Sequence, residues 1–550
     1  MTPSTIDLFI LTFNCAKNLI NVAVWAAHLK AALSAQGAAR KGTGNGNALP
    51  DVVVFSLQEV APLAYSFIGP YFLNPYYARY AEALNLAAGQ LLDQADDNYG
   101  TSTSSNGAVS NGGDPYTLVR AKNVGMTAIL LFARDPSKIK QIEEAECGFG
   151  AADMGNKGAV GLRVTWSDGK DTTITTEEPK TTELTFVATH LAAMEWNLKK
   201  RNANWRSIVS GLTFANPREV LPKGEFSAES RAARATPDRS GAGDTAPDTT
   251  TQQDSSSSAD ADDDDLAYGG DHDSDAQPLL SSSNSQFKSK HASALQSISI
   301  FKPSSHLFLA GDLNYRINTT TPPPLATYPS FDPSSPNHFS NFLPRDQLTQ
   351  EREAGRTMNG LSEAPITFGP TYKYDVHPAK GEAANEEAVN RGDRVNGVPE
   401  VPWRFASHRW PGWCDRVLYL DVPGWVREKN SRGVEVEAYD SLPVIETSDH
   451  RPVFFRASVP VLGKDEMEPP LPTEGGDLTV VEEEEEWRKD PRVSIPVAVD
   501  VQAWERRAAA RKKEEMVGWT ALFWSTKEGA LVLATLLVVG VGSWWFFRDW

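Results

Sequence analysis

HLFLAGDLNYRI, residues 306–317, is the stretch that sets the reading of the whole chain. Its apolar run at 307–310 leads through Gly311 to Asp312 and Asn314. Runs of this length, rich in Leu, Ile, Val and Phe, read as buried strands. A carboxylate and an amide just past such a run sit on a loop held by a rigid sheet, where functional groups concentrate. The same construction recurs along the sequence. The run 6–13 ends at Asn14, 52–57 ends at Gln58-Glu59, 184–189 ends at His190, and 452–457 follows Ser448-Asp449-His450. Apolar residues at helical spacing over 18–33 and 80–92 supply helices to cover the sheets. Strands alternating with helices and long returns predict an α/β protein built as a layered sandwich.

The residue types at the strand ends suit hydrolysis of a phosphate ester. That chemistry needs a cation to neutralise phosphoryl oxygens, a base or orienting group for water, and donors on the developing charge. Magnesium prefers oxygen ligands and few carboxylates. Glu59 is then the candidate metal carboxylate with Asn14 beside it, and Asp312 the group that orients or deprotonates water. Asn314 and His190 would hold the phosphate, and Asp449-His450 pairs an imidazole with a supporting carboxylate. Each has an ordinary structural reading when taken singly. Gln-Glu after a strand is commonly a solvated strand end, and an isolated histidine is commonly a satisfied core residue. Order and surrounding words carry the weight.

Those words are GNKGAVGLR (155–163), GDLNYRI (311–317), PTYKYD (370–375), PGWCDRVL (411–418) and TSDHRPV (447–453), with LTFN (11–14), LQEV (57–60) and THLAA (189–193) followed by Arg201-Asn202. In content and order they resemble the signatures of the inositol polyphosphate 5-phosphatases, from about Ile6 to Ala457 apart from inserts. The resemblance implies the DNase-I-like fold, a four-layer α/β/β/α sandwich. It implies Mg2+ bound by Glu59 and Asn14, with His190, Asn314 and His450 on the 5-phosphate. Asp312 would activate water and Asp449 support His450. Tyr372, Lys373 and Arg409 would recognise a neighbouring 4-phosphate, Asn156 and Lys157 would face the headgroup or membrane, and Arg416 would brace the substrate side of the site. The family often has a lysine two residues before the position of Arg409, where this chain has Ser407. Trp413 and Cys414 read as core.

The formal net charge of −18 over 550 residues argues against nucleic acid as a partner. Cys15, Cys147 and Cys414 are too few and scattered for a disulfide framework, which leaves a reducing compartment as the default. Polar stretches at about 97–115, 216–297 (with Asp262 to Asp265) and 377–401 read as disordered inserts in a catalytic domain of residues 1–460. Residues 461–526, with prolines, the acidic run 482–486 and a basic stretch, read as a flexible linker. Within 527–548, the segment GALVLATLLVVGVGSWWFF (529–547) has no charge and is long enough to span a hydrocarbon core. The expectation is a tail anchor with the catalytic domain in the cytosol, and the short span points to the endoplasmic reticulum. A tether favours a lipid substrate, phosphatidylinositol 4,5-bisphosphate converted to phosphatidylinositol 4-phosphate, over soluble inositol phosphates. The competing readings are a nuclease or sphingomyelinase on the same fold, and an inactive membrane scaffold. PTYKYD and Arg409 count against the first two, and the presence of Glu59, Asp312 and His450 against the third. No protein partner is legible.

Overall fold

The computed structural model describes residues 4–35, 49–98, 113–169, 179–221, 285–428, 433–469, 489–525 and 527–548. The chain forms two compact units, Met1–Val220 with Ala294–Trp550, and Leu221–Ser293. Of the second, the described residues are Leu221 and 285–293, the first turns of the helix Ser285–Ile298.

The strands in chain order are β1 (Thr5–Asn14), β2 (Val52–Gln58), β3 (Thr117–Val124), β4 (Thr127–Ala133), β5 (Ile139–Gly148), β6 (Gly158–Ser167), β7 (Thr181–His190), β8 (Ser305–Asp312), β9 (Tyr374–Val376), β10 (Arg394–Val395), β11 (Val398–Pro399), β12 (Trp403–Phe405), β13 (Asp415–Leu420), β14 (Glu435–Ser441) and β15 (Val453–Pro460). Two mixed sheets result, ordered β14-β15-β1-β2-β4-β3 and β13-β8-β7-β6-β5. Side chains alternate across a strand, and β1 shows the consequence. Ile6, Leu8 and Ile10 face the second sheet in a cluster with Val160, Leu162, Phe186, Phe308 and Phe455. Phe9, Leu11 and Phe13 face outward onto α1 (Val22–Ser34) and α3 (Pro70–Asn98), where Trp25, Leu29, Tyr80 and Leu84 cover them. The short α2 (Leu63–Ile68) lies between β2 and α3. The outer face of the second sheet is covered by α4 (Leu198–Gly211) through Trp205 and Ile208, which pack with Val187, Leu307 and Leu309. The fold is thus the expected four-layer α/β/β/α sandwich. Trp413 and Cys414 are fully buried, as expected of core residues.

Two stretches depart from the sequence expectation. Residues 377–401 are not a structureless insert: they contain the helix Glu386–Arg391 and the β10–β11 hairpin. The hairpin turns at Asn396-Gly397, both with positive φ, the pair favoured in tight two-residue turns. β9 and β12 flank it as an antiparallel pair, held by edge and tilted ring contacts among Tyr374, Trp403 and Phe405. Few apolar residues inside the stretch concealed a structure whose packing comes from aromatics on either side of it.

Nor is 461–526 a flexible linker throughout. Ile495 and Val497 pack on the α4 cluster, and Ala503–Ser525 is a helix. Ala503, Arg507, Ala510, Glu514 and Gly518 form its buried stripe. The spacing is helical, but the stripe consists of small residues and an ion pair, so it carries no hydrophobic signature. The acidic run 482–486, Asp262 to Asp265 and most of 97–115 lie outside the described residues. The helix Lys527–Arg548 contains the 20-residue segment Gly529–Arg548, long and apolar enough to cross a membrane and not buried against the protein.

Candidate active site

Strand register assembles the site. In the parallel β7–β8 pair His190 lies level with Asp312, and in the antiparallel β8–β13 pair Asp415 lies opposite Asp312. On the facing sheet, β1 and β2 run parallel with Asn14 level with Gln58, one residue before Glu59. The loop entering β15 brings His450, whose backbone bridges Tyr372. The residues are far apart in sequence, yet each stands at the same edge of its sheet.

Asp312 is the hub. Its Oδ2 accepts a hydrogen bond from Asn14 Nδ2 at 3.1 Å and lies 3.3 Å from His190 Nε2 and 3.8 Å from His450 Nε2. Its Oδ1 accepts the Asn314 N–H at 3.0 Å, and Asn314 holds the left-handed φ of 57° that closes this turn. Burial pushes the Asp312 carboxyl up, but the His450 imidazole, His190 and Arg316 outweigh it and hold the group well below the usual carboxylate range.

His450 takes its support from a different carboxylate than the sequence suggested. Nδ1 is 2.8 Å from Asp415 Oδ2, which also accepts from the Thr371 hydroxyl at 2.8 Å. Burial alone would lower this imidazole, yet Asp415 and Asp312 push it up to about 9. Asp415 is itself raised to about 6, because burial outweighs the pull of His450. Asp449 points elsewhere and pairs with Lys373 Nζ at 2.8 Å. A local Asp-His reading missed the true partner, although Asp415 stood in the PGWCDRVL word.

His190 is buried, with Nδ1 lacking a partner among the described residues and Nε2 3.0 Å from Lys157 Nζ. Burial and the Lys157 charge push its pKa down. A neutral imidazole donates from Nε2 to Asp312 or accepts there from Lys157, one at a time. Asn156 is half-buried in the turn just before Lys157.

Of the residues expected at a neighbouring anion subsite, Tyr372 packs on the His450 ring at 4.6 Å, and the Arg316 guanidinium lies over the Tyr372 ring at 4.2 Å. Arg409 Nε is 4.0 Å from Glu195 Oε1, a buried carboxylate. Glu195 and Arg316 escaped the sequence reading. Arg316 lay inside GDLNYRI, whereas Glu195, in a polar loop, gave no signal. Ser407 offers only its carbonyl here, to the Tyr328 hydroxyl at 2.6 Å.

Arg416 does not reach the substrate side. It is fully buried, paired with Asp346 at 3.0 Å and with Glu363 at 2.6 Å and 2.7 Å. Adjacent positions of a strand face opposite ways, so Asp415 enters the site while Arg416 braces the fold behind it.

Oxygen donors that suit a hard cation are at hand. Glu59 follows β2 with φ 46°, and its carboxylate meets Lys17 Nζ at 3.6 Å in a partly exposed pair that a cation can displace. The Asn14 amide oxygen accepts the Ala16 N–H at 3.1 Å. Glu59 and Asn14 thus offer a carboxylate and an amide oxygen, and the Asp312, Asp415 and His450 cluster is a second place where an ion could be held.

The sequence profile of Endonuclease/Exonuclease/phosphatase family 2 matches residues 11–456. The polyphosphatidylinositol phosphatase INP53 of Saccharomyces cerevisiae is 25% identical over 415 residues, 74% of this chain and 24% of that protein. A type II inositol polyphosphate 5-phosphatase of Arabidopsis thaliana is 25% identical over 368 residues, 64% of this chain and 25% of that protein. The mouse phosphatidylinositol 3,4,5-trisphosphate 5-phosphatase 1 is 31% identical over 157 residues, 28% of this chain and 11% of that protein. The chain spans a quarter or less of the length of each. With its profile matched across both sheets, the chain belongs to the endonuclease/exonuclease/phosphatase family, among relatives named inositol polyphosphate 5-phosphatases.

Proposed function

We propose that the chain removes the 5-phosphate of phosphoinositides in a Mg2+-dependent reaction, with phosphatidylinositol 4,5-bisphosphate converted to phosphatidylinositol 4-phosphate at a membrane. The observation that carries this reading is the buried convergence of Asp312, His190 and the Asp415–His450 pair at one edge of both sheets. The names of the relatives support the substrate class, and the apolar helix Lys527–Arg548 supports action at a membrane.

Mg2+ held by Glu59 and Asn14 would neutralise phosphoryl charge. The protein side chains do the rest. Ionised Asp312 accepts a hydrogen bond from the attacking water and aligns it. His450, charged and oriented by Asp415, donates to the phosphoryl oxygens as their charge grows, with Asn314 and Lys157 adding donors. The water oxygen bonds to phosphorus while the bond to the inositol 5-oxygen breaks; one of the water's protons ends on that oxygen, which leaves as a hydroxyl, and the other stays on the released phosphate. Lys373 and Arg409 would exchange their carboxylate partners, Asp449 and Glu195, for the 4-phosphate. The helix Lys527–Arg548 would anchor the catalytic body on the cytosolic face of the endoplasmic reticulum.

The test is phosphate release by the full chain in detergent micelles with Mg2+, from headgroups differing only in their 4- and 5-phosphates, with Asp312→Ala as the blank. Release from the 5-position that requires Asp312 supports the proposal. Absence of release from any inositol phosphate, with cleavage of a nucleic acid or sphingomyelin instead, rejects it.

A further inference from the structure

The helix Ala503–Ser525 leads into the candidate membrane span and also packs against the turn that carries Lys157. Its Glu514, buried to 3% exposure, accepts the Gly155 N–H through Oε1 at 2.6 Å. Arg507, one face-repeat earlier, grips Glu514 with both terminal nitrogens, at 2.5 Å and 2.8 Å, and reaches Glu146 on β5 at 3.1 Å. Arg511 pairs with Glu146 as well. Such charge-assisted, two-pronged bonds are directional as well as strong.

Gly155 has little freedom on its other side. Its carbonyl accepts the Met126 N–H at 3.2 Å, and a Cβ placed on it would fall 2.8 Å from the Gly125 nitrogen. The turn is therefore clamped between the β3–β4 hairpin and the helix. Two residues later the Lys157 carbonyl accepts from Phe149 at 2.8 Å, and its ammonium stands 3.0 Å from His190 Nε2. The helix is held elsewhere too: Trp504 donates to Thr213 Oγ1 at 2.9 Å, and a Cβ on Gly518 would lie 3.0 Å from Phe67 and Ile68.

We propose that Glu514 is a positioning residue: by holding the 155–157 turn against the β3–β4 hairpin it sets the Lys157 ammonium beside His190, so that the segment leading to the membrane span is part of the working active site. The proposal rests on the phosphatase reading for its effect on rate. Its structural half does not.

The test uses the full chain in detergent micelles and a water-soluble inositol polyphosphate bearing a 5-phosphate, so that access to a bilayer plays no part. Glu514→Ala is expected to lower kcat/KM roughly tenfold to a hundredfold, the scale of a lost hydrogen bond to a charged group. Glu514→Gln keeps the acceptor for Gly155 and recovers most of that loss. In a Lys157→Ala background, Glu514→Ala costs little more, since residues acting through one another are not additive. Hydrogen exchange of the backbone amides over 150–157 rises in Glu514→Ala, while that of β1 and β15 is unchanged. Wild-type kcat/KM in Glu514→Ala, or losses that multiply in the double variant, overturns the proposal. If the unaltered chain releases no phosphate, the functional reading fails first. Exchange at 150–157 then decides alone, and unchanged exchange in Glu514→Ala overturns the positioning role.

Discussion

Asp415 Oδ2 lies 2.8 Å from His450 Nδ1, joining the first residue of β13 in one sheet to the loop that enters β15 in the other. This contact sets which ring nitrogen faces Asp312 and keeps the imidazole charged. Asp415→Asn preserves size and the bond from Thr371 but removes the charge. It is expected to lower kcat by about 10²–10⁴-fold, the usual span for disabling an acid–base group. Asp449→Asn should leave kcat within a few-fold, because Asp449 serves Lys373. Steady-state kinetics of the two variants side by side checks the assignment, and the reverse ranking would return the supporting role to Asp449.

The same pair fixes a pH window. The folded value of His450, about 9, lies above the ordinary imidazole value, so the charged form persists from below neutrality until pH rises through about 9. Its contribution to stability is accordingly full below pH ~6.5 and lost as pH climbs through that folded value. Asp415, raised to about 6, takes up a proton as pH falls through that point. kcat/KM should form a bell whose alkaline limb belongs to His450 and whose acid limb belongs to Asp415, and Asp415→Asn should shift the alkaline limb to lower pH. An alkaline limb that stays put in Asp415→Asn would separate it from His450.

How much of this was legible in the sequence follows from what each residue's signal rests on. Asn14, Glu59, His190 and Asp312 each end an apolar run, and strand ends are visible because burial writes itself in Val, Ile, Leu and Phe. The partner of His450 was not visible. Asp449 is its neighbour in the chain, whereas Asp415 becomes its neighbour only when β13 pairs with β8. The helix carrying Glu514 was hidden for a related reason. Its buried face is Ala, Gly and an Arg–Glu pair, so it looks like the polar linker around it. That Arg416 braces the fold from behind Asp415 was not visible either, because a word such as PGWCDR does not reveal which of two adjacent residues points into the site.

Arg416 supplies a stability prediction. It is fully buried between Asp346 and Glu363, and the Tyr439 hydroxyl donates to Glu363 at 2.8 Å. Arg416→Ala leaves Asp346 buried without its cation and Glu363 with Arg352 alone, which should cost about 3–5 kcal/mol of folding stability. The cost should appear as a lower midpoint in urea. An unchanged midpoint with a raised KM would make Arg416 a substrate contact after all.

Metal dependence tests the donor set directly. Chelation should abolish phosphate release and Mg2+ restore it. Glu59→Gln keeps the shape but loses the anion, so it should raise the Mg2+ concentration for half-maximal rate by roughly tenfold or more, at least the cost of altering an outer-shell residue. A Mg2+ titration of rate reads this out. An unshifted midpoint would remove Glu59 from the donor set and direct attention to the Asp312, Asp415 and His450 cluster.

Specificity for a 4-phosphate should reside in two cations that already hold carboxylates. Lys373 is 2.8 Å from Asp449, and Arg409 Nε is 4.0 Å from buried Glu195. A phosphate that displaces either carboxylate gains a charge-assisted bond only where the new geometry is the better one, so this arrangement selects for position as well as charge. Lys373→Ala and Arg409→Ala should each raise KM for a headgroup with a 4-phosphate by roughly tenfold. For a headgroup carrying the 5-phosphate alone the change should be slight. Equal losses on both headgroups would mean that these cations act on the scissile phosphate, and the 4-phosphate subsite would have to be sought elsewhere around Tyr372 and Arg316.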